Sequence, residues 1–148
     1  MPPGPKARPY KSTHFTVEID GVPSGAFSEI QLPELTTPPV EYREGTDAQI
    51  EAHRIPGRPQ YGPARLRRGF RGTLDLYTWW RQAAEGDPNG KRGVQILLLN
   101  VKKDVLFRWL LRDAWPMKYS MPLLNANGNE IAIEEVELAY EGVELQEP

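Results

Sequence analysis

Apolar residues recur at every second position through most of this chain, and at helical spacing in only one stretch. From His14 to Asp20, Phe15, Val17 and Ile19 point one way and Thr16, Glu18 and Asp20 the other, the pattern of a half-buried strand. Pro63 to Phe70 sets Ala64, Leu66 and Arg68 against Arg65 and Arg67. Val105 to Arg112 sets Val105, Phe107, Trp109 and Leu111 against Leu106, Arg108, Leu110 and Arg112. Val94 to Leu99 is apolar on both faces, as a central strand covered on each side requires, and pairs with Val105 to Arg112 as the predicted core hairpin. The exception is Thr73 to Glu85. There Leu76, Trp79, Trp80 and Ala83 follow the spacing of an apolar helix face, with Thr73 as N-cap, Asp75 in the first turn and Gly86 as the stop. Strands around one helix predict a mainly β fold: a small β-barrel, or tightly rolled two-sheet sandwich, with one flanking α-helix.

Prolines and glycines divide the remainder. Asp20-Gly21 marks a turn, and a second strand is expected over Ala26 to Leu32, stopped by Pro33 because proline donates nothing to a sheet ladder. Val40 to Arg54 reads as an extended β-hairpin arm turning at Glu44-Gly45-Thr46-Asp47. On its first strand Val40 and Tyr42 share a face opposite Glu41 and Arg43; on its second, Ile50 and Ala52 share one opposite Gln49, Glu51 and His53. A two-stranded ribbon is marginal alone in water, so the apolar side must lie on something. Ile55-Pro56-Gly57-Arg58-Pro59 breaks the strand pattern, and Trp115-Pro116 to Ser120 is a short separate extended piece. In the last strand the apolar phase slips from Ile131 and Ile133 to Val136, Leu138 and Tyr140, which predicts a β-bulge near Glu134-Glu135.

At 148 residues the chain has the length of one domain, expected over residues 14–148 behind a flexible proline-rich arm over 1–13. The absence of cysteine excludes disulfides and thiolate metal sites. A net charge of −2 gives no global drive toward nucleic acid or an anionic membrane. The longest apolar runs are far shorter than the roughly 20 residues of a membrane helix, and the N-terminus lacks the apolar stretch of a signal peptide, so cytoplasmic synthesis is expected.

No catalytic pattern stands out. His14 and His53 fall on separate predicted strands, the Gly-x-Ser-x-Gly pattern does not occur, and Gly86-Asp-Pro-Asn-Gly90-Lys91 spaces its glycines wrongly for a phosphate loop and follows a helix. No catalytic, cofactor-binding or metal residues are therefore assigned. The acidic series Glu134, Glu135, Glu137, Glu141 and Glu144 fits the polar face of a strand. Arg65, Arg67, Arg68 and Arg71 form the densest basic patch without interleaved aromatics, which favours pairing with carboxylates across a subunit interface over binding nucleic acid.

Ten short pieces occur in a characteristic order: Phe15 to Gly21, Phe27-Ser28-Glu29-Ile30, Tyr42-Arg43-Glu44-Gly45, Pro56-Gly57, Tyr61-Gly62, Arg68-Gly69, Asn100, Ala114-Trp115-Pro116, Leu124-Asn125-Ala126 and Gly128-Asn129-Glu130. In that order the chain resembles, from His14 to Leu145, the tail tube proteins of contractile phages and the inner-tube proteins of extracellular contractile injection systems, which are related to type VI secretion ring proteins. It departs from them in Gln31-Leu32-Pro33, where Ser-Gly-Leu is usual, and in the proline-rich start. The resemblance implies a structural subunit, not an enzyme. It implies hexameric rings stacked into a hollow conduit for DNA or protein cargo, inside a contractile sheath and between baseplate and cap proteins, with a tape measure or cargo in the lumen. The mature site would be a phage tail or an extracellular particle, with no nucleic-acid sequence read.

On that resemblance, Glu41, Arg43, Gln49, Glu51 and His53 are candidate lumen residues. Val40, Tyr42, Ile50, Ala52, Arg65, Arg67, Glu135 and Glu137 are candidate subunit-interface residues, and Arg58, Gln60 and Tyr61 candidate ring-stacking residues. The alternatives are a baseplate adaptor or cap ring of the same particle and, from a different class, a flavin-binding split barrel.

Overall fold

Strand β9, Val105–Ser120, is the spine on which the other large strands are hung. The computed structural model describes residues 8–20, 26–42 and 53–148. In chain order these form β1 (Phe15–Ile19), β2 (Glu29–Gln31), β3 (Leu35–Thr36), β4 (Pro39–Tyr42), β5 (His53–Pro56), β6 (Gln60–Tyr61), β7 (Ala64–Gly69), helix α1 (Asp75–Ala84), a 3-10 turn (Pro88–Gly90), β8 (Arg92–Leu99), β9, β10 (Ile133–Ala139) and β11 (Gly142–Gln146). The fold is mainly β with one α-helix, and every strand pairing is antiparallel.

The first half of β9 belongs to a sheet in the order β1-β8-β9-β11, and its second half to a sheet in the order β9-β10-β7-β2. Three irregularities interrupt β9: the first leaves Leu106 extra opposite Leu98 to Leu99, and the other two let one strand serve both sheets. Opposite Arg92 to Val94 the strand carries an extra residue at Arg112-Asp113, where Asp113 has φ 49°; opposite Glu137 to Leu138 it carries an extra residue at Met117. Each bulge resets which residues face inward: Leu111, then Ala114 and Pro116, then Tyr119. The path begins at β1 and ends at β2, which do not pair with each other, so the described strands roll up without closing a barrel. The piece expected to stand alone at Trp115 to Ser120 is the continuation of β9.

The predicted bulge at Glu134-Glu135 is not there. β10 runs in unbroken register with β7 from Ile133 opposite Gly69 to Leu138 opposite Ala64. The even-numbered residues Glu134, Val136 and Leu138 all face inward, while Ile131 is 78% exposed. A buried glutamate continues the apolar phase, so no slip is needed.

The core joins both sheets and the helix: Val17, Ile19, Val94, Ile96 and Leu111 from the first sheet, Ala64, Leu66, Val136 and Leu138 from the second, and Leu76 and Trp79 from α1. Trp79 Nε1 donates to the carbonyl of Gly90 at 2.7 Å. A side chain at Gly90 would lie 2.6 Å from Ala83 Cα, so only glycine lets this turn close on the helix. The helix starts two residues later than the sequence implies. Leu74 is the cap residue without a side-chain cap bond, and Thr73 Oγ1 instead donates to Asp75 Oδ1 at 2.8 Å, which also accepts from the Leu76 amide at 3.0 Å. Gly86, at φ 77°, ends it as expected.

Candidate assembly surfaces

Alternation along β7 sends its arginines to opposite sides. Arg65 and Arg67 face outward over the second sheet, where the register lines up Glu29, Arg67 and Glu135 in one row and Gln31, Arg65, Glu137 and Lys118 in the next. Arg65 Nε donates to Glu137 Oε1 at 3.1 Å and Arg65 Nη1 to Gln31 Oε1 at 3.2 Å. Arg67 Nη1 donates to Glu29 Oε2 at 3.1 Å, and its Nε lies 3.9 Å from Glu135 Oε2. The carboxylates expected from another subunit are thus supplied by this chain's own sheet, because cross-strand neighbours lie closer than any partner could.

Arg68 faces inward and is the centre of a buried cluster that sequence reasoning missed. Its Nε donates to Glu134 Oε1 at 2.6 Å, and its Nη2 donates to Asp75 Oδ1 at the helix start and to Thr73 Oγ1 at 3.4 Å. Tyr119 Oη donates to the other Glu134 oxygen at 2.7 Å, and the guanidinium lies 5.5 Å from the centre of the Phe27 ring. Burial opposes charge on Arg68, but its hydrogen bonds to Asp75 and Glu134 outweigh this and hold its pKa above the ordinary value. Burial likewise opposes ionisation of Asp75, yet the bonds from Arg68 and Thr73 keep it below the ordinary carboxylate range. Tyr119 is pushed up to about 12, first by burial and then by its bond to Glu134. The cluster ties β7, β9, β10 and α1 together. The signal for it in the sequence was a glutamate occupying the inward phase of β10 opposite an inward arginine of β7.

Other surfaces are left open. In the first sheet, Leu99 N donates to the His14 carbonyl at 2.8 Å and Asp20 N to the Gly93 carbonyl at 3.1 Å. With Phe15 opposite Leu98 and Ile19 opposite Val94, this alternation turns the amides of Phe15, Val17 and Ile19 away from β8. β11 pairs only with β9. Among the described residues, the first sheet therefore ends in two open edges, β1 and β11, which are the positions that invite another strand. Its outward face carries Thr16, Glu18, Gln95, Arg108, Glu144 and Gln146, with Leu97 and Leu110 set among them. The Nε of Arg108 is buried with no acceptor among the described residues.

The arm is present as β4 paired with β5, with Val40 opposite Ile55, Glu41 opposite Arg54 and Tyr42 opposite His53. The second strand runs to Pro56, past the expected break, and this register corrects the expected faces. His53 sits with Val40, Tyr42 and Ile55, and Arg54 takes the place across from Glu41, because opposed residues share a face. Val40, Tyr42 and Ile55 are 47%, 47% and 49% exposed. The candidate residues Arg43, Gln49, Ile50, Glu51 and Ala52 lie outside the described residues. Arg58, Gln60 and Tyr61 are exposed at the root of the arm, where β6 pairs with β3 and the Tyr61 ring stacks 6.1 Å from that of Tyr140. At the other end of β7, an apolar groove between Phe70, Leu74, Tyr77, Tyr119, Met121 and Leu124 was also unforeseen. Among the described residues, no group of three or more His, Asp or Glu side chains could hold a metal, and no helix is long and apolar enough to cross a membrane.

Residues 11–144 match the model of the family described as T4-like virus tail tube protein gp19. A chain of an extracellular contractile injection system, the PVC sheath-tube complex in its extended state, superposes with a TM-score of 0.82 at 24% identity, over 97% of this chain and 95% of that one. A chain of the anti-feeding prophage tube-terminating cap gives 0.81 at 26% identity, over 95% and 93%. A chain of the six-fold symmetrised baseplate of the same prophage gives 0.78 at 22% identity, over 95% and 97%. No curated protein matches the sequence.

Proposed function

The chain belongs to the T4-like virus tail tube family, and from that premise we propose that it forms hexameric rings which stack into the inner tube of a contractile injection particle. The observation that carries this reading is the pair of open edges on the first sheet. No described strand of the same chain covers them. If β11 of each subunit lies beside β1 of the next, the same contact repeats head to tail, and a contact that closes after six copies makes a ring with no edges left. Six-fold symmetry in a particle that contains a chain of the same fold supports that number.

In this ring the outward face of the first sheet lines the hole. Glu18, Arg108 and Glu144 mix both signs of charge among Thr16, Gln95 and Gln146, so the wall presents no single-sign field to hold a passing polymer. The polar side of the arm, with Glu41 and Arg54, extends that lining at the ring's rim. Sheath, baseplate and cap proteins are its partners in the particle, and DNA or protein its cargo. An adaptor or terminal cap ring is the second reading, supported by the cap and baseplate chains that share this fold.

Electron microscopy of the purified protein with its sheath and baseplate components tests the proposal. Hollow tubes of stacked six-fold rings are expected. Monomers alone, under all conditions and with those components present, would refute it.

A further inference from the structure

A row of three aromatic rings, Tyr119, Tyr77 and Trp80, runs from the end of β9 onto helix α1, with ring centres 6.2 and 6.4 Å apart. Phe70, Leu74, Met121 and Leu124 flank Tyr77 and Tyr119 to make a groove; all four are exposed, Leu124 at 84%. Glu134 engages the Tyr119 hydroxyl at 2.7 Å, so Tyr119 offers the groove its ring and no polar group. Among the described residues, no charged side chain lines it. Aromatic-lined grooves bind proline-rich segments, because such a segment favours an extended helix in advance and has little conformational freedom left to lose.

A segment of that kind precedes β1. Pro2, Pro3, Pro5 and Pro9 stand close together, followed by Tyr10. Residues 1–10 lie ahead of the stretch that matches the tube family. From Arg8 to His14 every residue is exposed. The charges of the segment are Lys6, Arg8 and Lys11, with no carboxylate before Glu18. Beside the groove, sharing Met121 with it, is a cleft lined by Glu130 and Glu135. Arg67 lies 3.9 Å from Glu135, and Glu130 has no ion partner among the described residues. A basic, proline-rich chain thus matches the groove in shape and the cleft in charge.

Topology decides which copy's groove it meets. β1 and β9 both run antiparallel to β8, and so parallel to each other, with Phe15 and Phe107 both set opposite Leu98. The chain ahead of Phe15 therefore leaves past the Val105 end of β9, whereas Tyr119, Met121 and Leu124 stand at its Ser120 end. From Phe107 to Tyr119 a strand covers up to about 40 Å. Residues 1–13 as a proline-type helix also span about 40 Å, so doubling back to the same copy's groove leaves almost no length to bind. In a stack of rings, copies follow one another along the hole, and strands that line the hole run along it with a tilt. The Val105 end of one ring then faces the Ser120 end of the next.

We propose that the proline-rich N-terminal segment of each copy docks in the Tyr77–Tyr119 groove of a copy in the adjoining ring, with its basic residues toward Glu130 and Glu135. This rests on the tube reading above and names a ring-to-ring tie within it. An axial contact repeats without closing, so the ties run the length of the tube.

The cysteine-free chain makes a direct test available. Ala7→Cys combined with Leu124→Cys is assembled into tubes and treated with a short thiol-to-thiol cross-linker; Ala7→Cys with Arg58→Cys is the control. The expected result is a covalent ladder that continues past hexamer, because each link joins successive rings, and its loss when either cysteine is reverted. A cross-linked monomer, a ladder that stops at hexamer, a ladder from the control pair, or no link in intact tubes overturns the tie while leaving the tube reading standing. Failure of the unmodified chain to form rings beside its sheath and baseplate components removes the tube reading and the tie with it. The groove also has a test that needs no tube. A fluorescently labelled peptide of residues 1–13 is titrated onto the unassembled full-length chain. Saturable binding is expected, weakened at least about tenfold by Leu124→Asp in the chain and by Pro2→Ala, Pro3→Ala and Pro5→Ala together in the peptide. No binding, or equal binding to the Leu124→Asp chain, overturns the proposal even where tubes form. Loss of the sheath from Leu124→Asp tubes, without peptide binding, assigns the groove to the sheath instead.

Discussion

The two sheets that share β9 treat their polar and apolar groups in opposite ways. In the second sheet nearly every charge has a partner in the same chain: Arg65 with Glu137, Arg67 with Glu29, and Arg68 with Glu134 and Asp75. In the first sheet, among the described residues, two edges stay open and the outward amides of β1 lack a strand. The comparison separates what the chain settles by folding from what it leaves for other copies. Substitutions in the second sheet should damage folding, and assembly only as a consequence. Substitutions at the outward positions and open edges of the first sheet and in the arm should damage assembly while folding survives.

The largest effect on folding is expected at Glu134. Glu134→Ala strands the buried guanidinium of Arg68 and the hydroxyl of Tyr119, and removing one member of a buried pair typically costs about 3–5 kcal/mol. Urea unfolding should show that loss. A cost near zero would mean that the cluster is solvated and that the comparison fails. Next is Tyr119→Phe, which deletes one hydrogen bond to a buried carboxylate and should cost about 1.5–3 kcal/mol near neutral pH.

The same variant separates the cluster by pH. The folded Tyr119 pKa, about 12, lies above its ordinary 10.0, so between those values the unfolded chain loses the proton first and stability falls as pH rises. Tyr119→Phe should flatten that alkaline decline. Asp75 works in the other direction: its folded pKa lies below 3.8, so its contribution is present above that value and is lost as pH falls through the folded pKa. Thermal melts across both windows check the two signs.

Smaller still is Arg67→Ala. Its partners are 3.1 and 3.9 Å away, but all three side chains are solvated, so the cost should be at most about 1 kcal/mol. Arg67 against Glu134 is thus a contrast of the same ion-pair chemistry on two faces of neighbouring strands, and equal losses would erase it. The smallest folding effect belongs to Ile55→Asp in the arm, expected within about 0.5 kcal/mol as for other exposed sites.

The same division governs how much was legible in the sequence. Period-two alternation placed the faces of β1, β7 and β9 from Phe107 to Leu111 correctly, because one side of each strand is buried and burial enforces the pattern, whereas β8, expected to be covered on both sides, has one outward face. Leu76 and Trp79 likewise marked the inward side of α1. What failed was the reading of charged or irregular residues in inward phases. Glu134 looked like part of a polar face because its partner Arg68 is distant in sequence, and the apparent slip of β10 was the result. The bulges at Asp113 and Met117 carry no glycine, and Pro116 looked like the start of a new piece when it lies inside a continuous strand. The face of His53 was misassigned because the register that sets it opposite Tyr42 is not revealed by alternation within its own strand. Of the candidate assembly residues, Arg65 and Arg67 pair with Glu137 and Glu135 of the same chain, a register that alternation alone does not reveal.

Hydrogen exchange at β1, compared between the isolated chain and assembled rings, tests the central claim most directly. The open-edge account predicts that the amides of Phe15, Val17 and Ile19 exchange quickly in the isolated chain and become strongly protected on assembly. Fast exchange at those three positions in intact rings would contradict it.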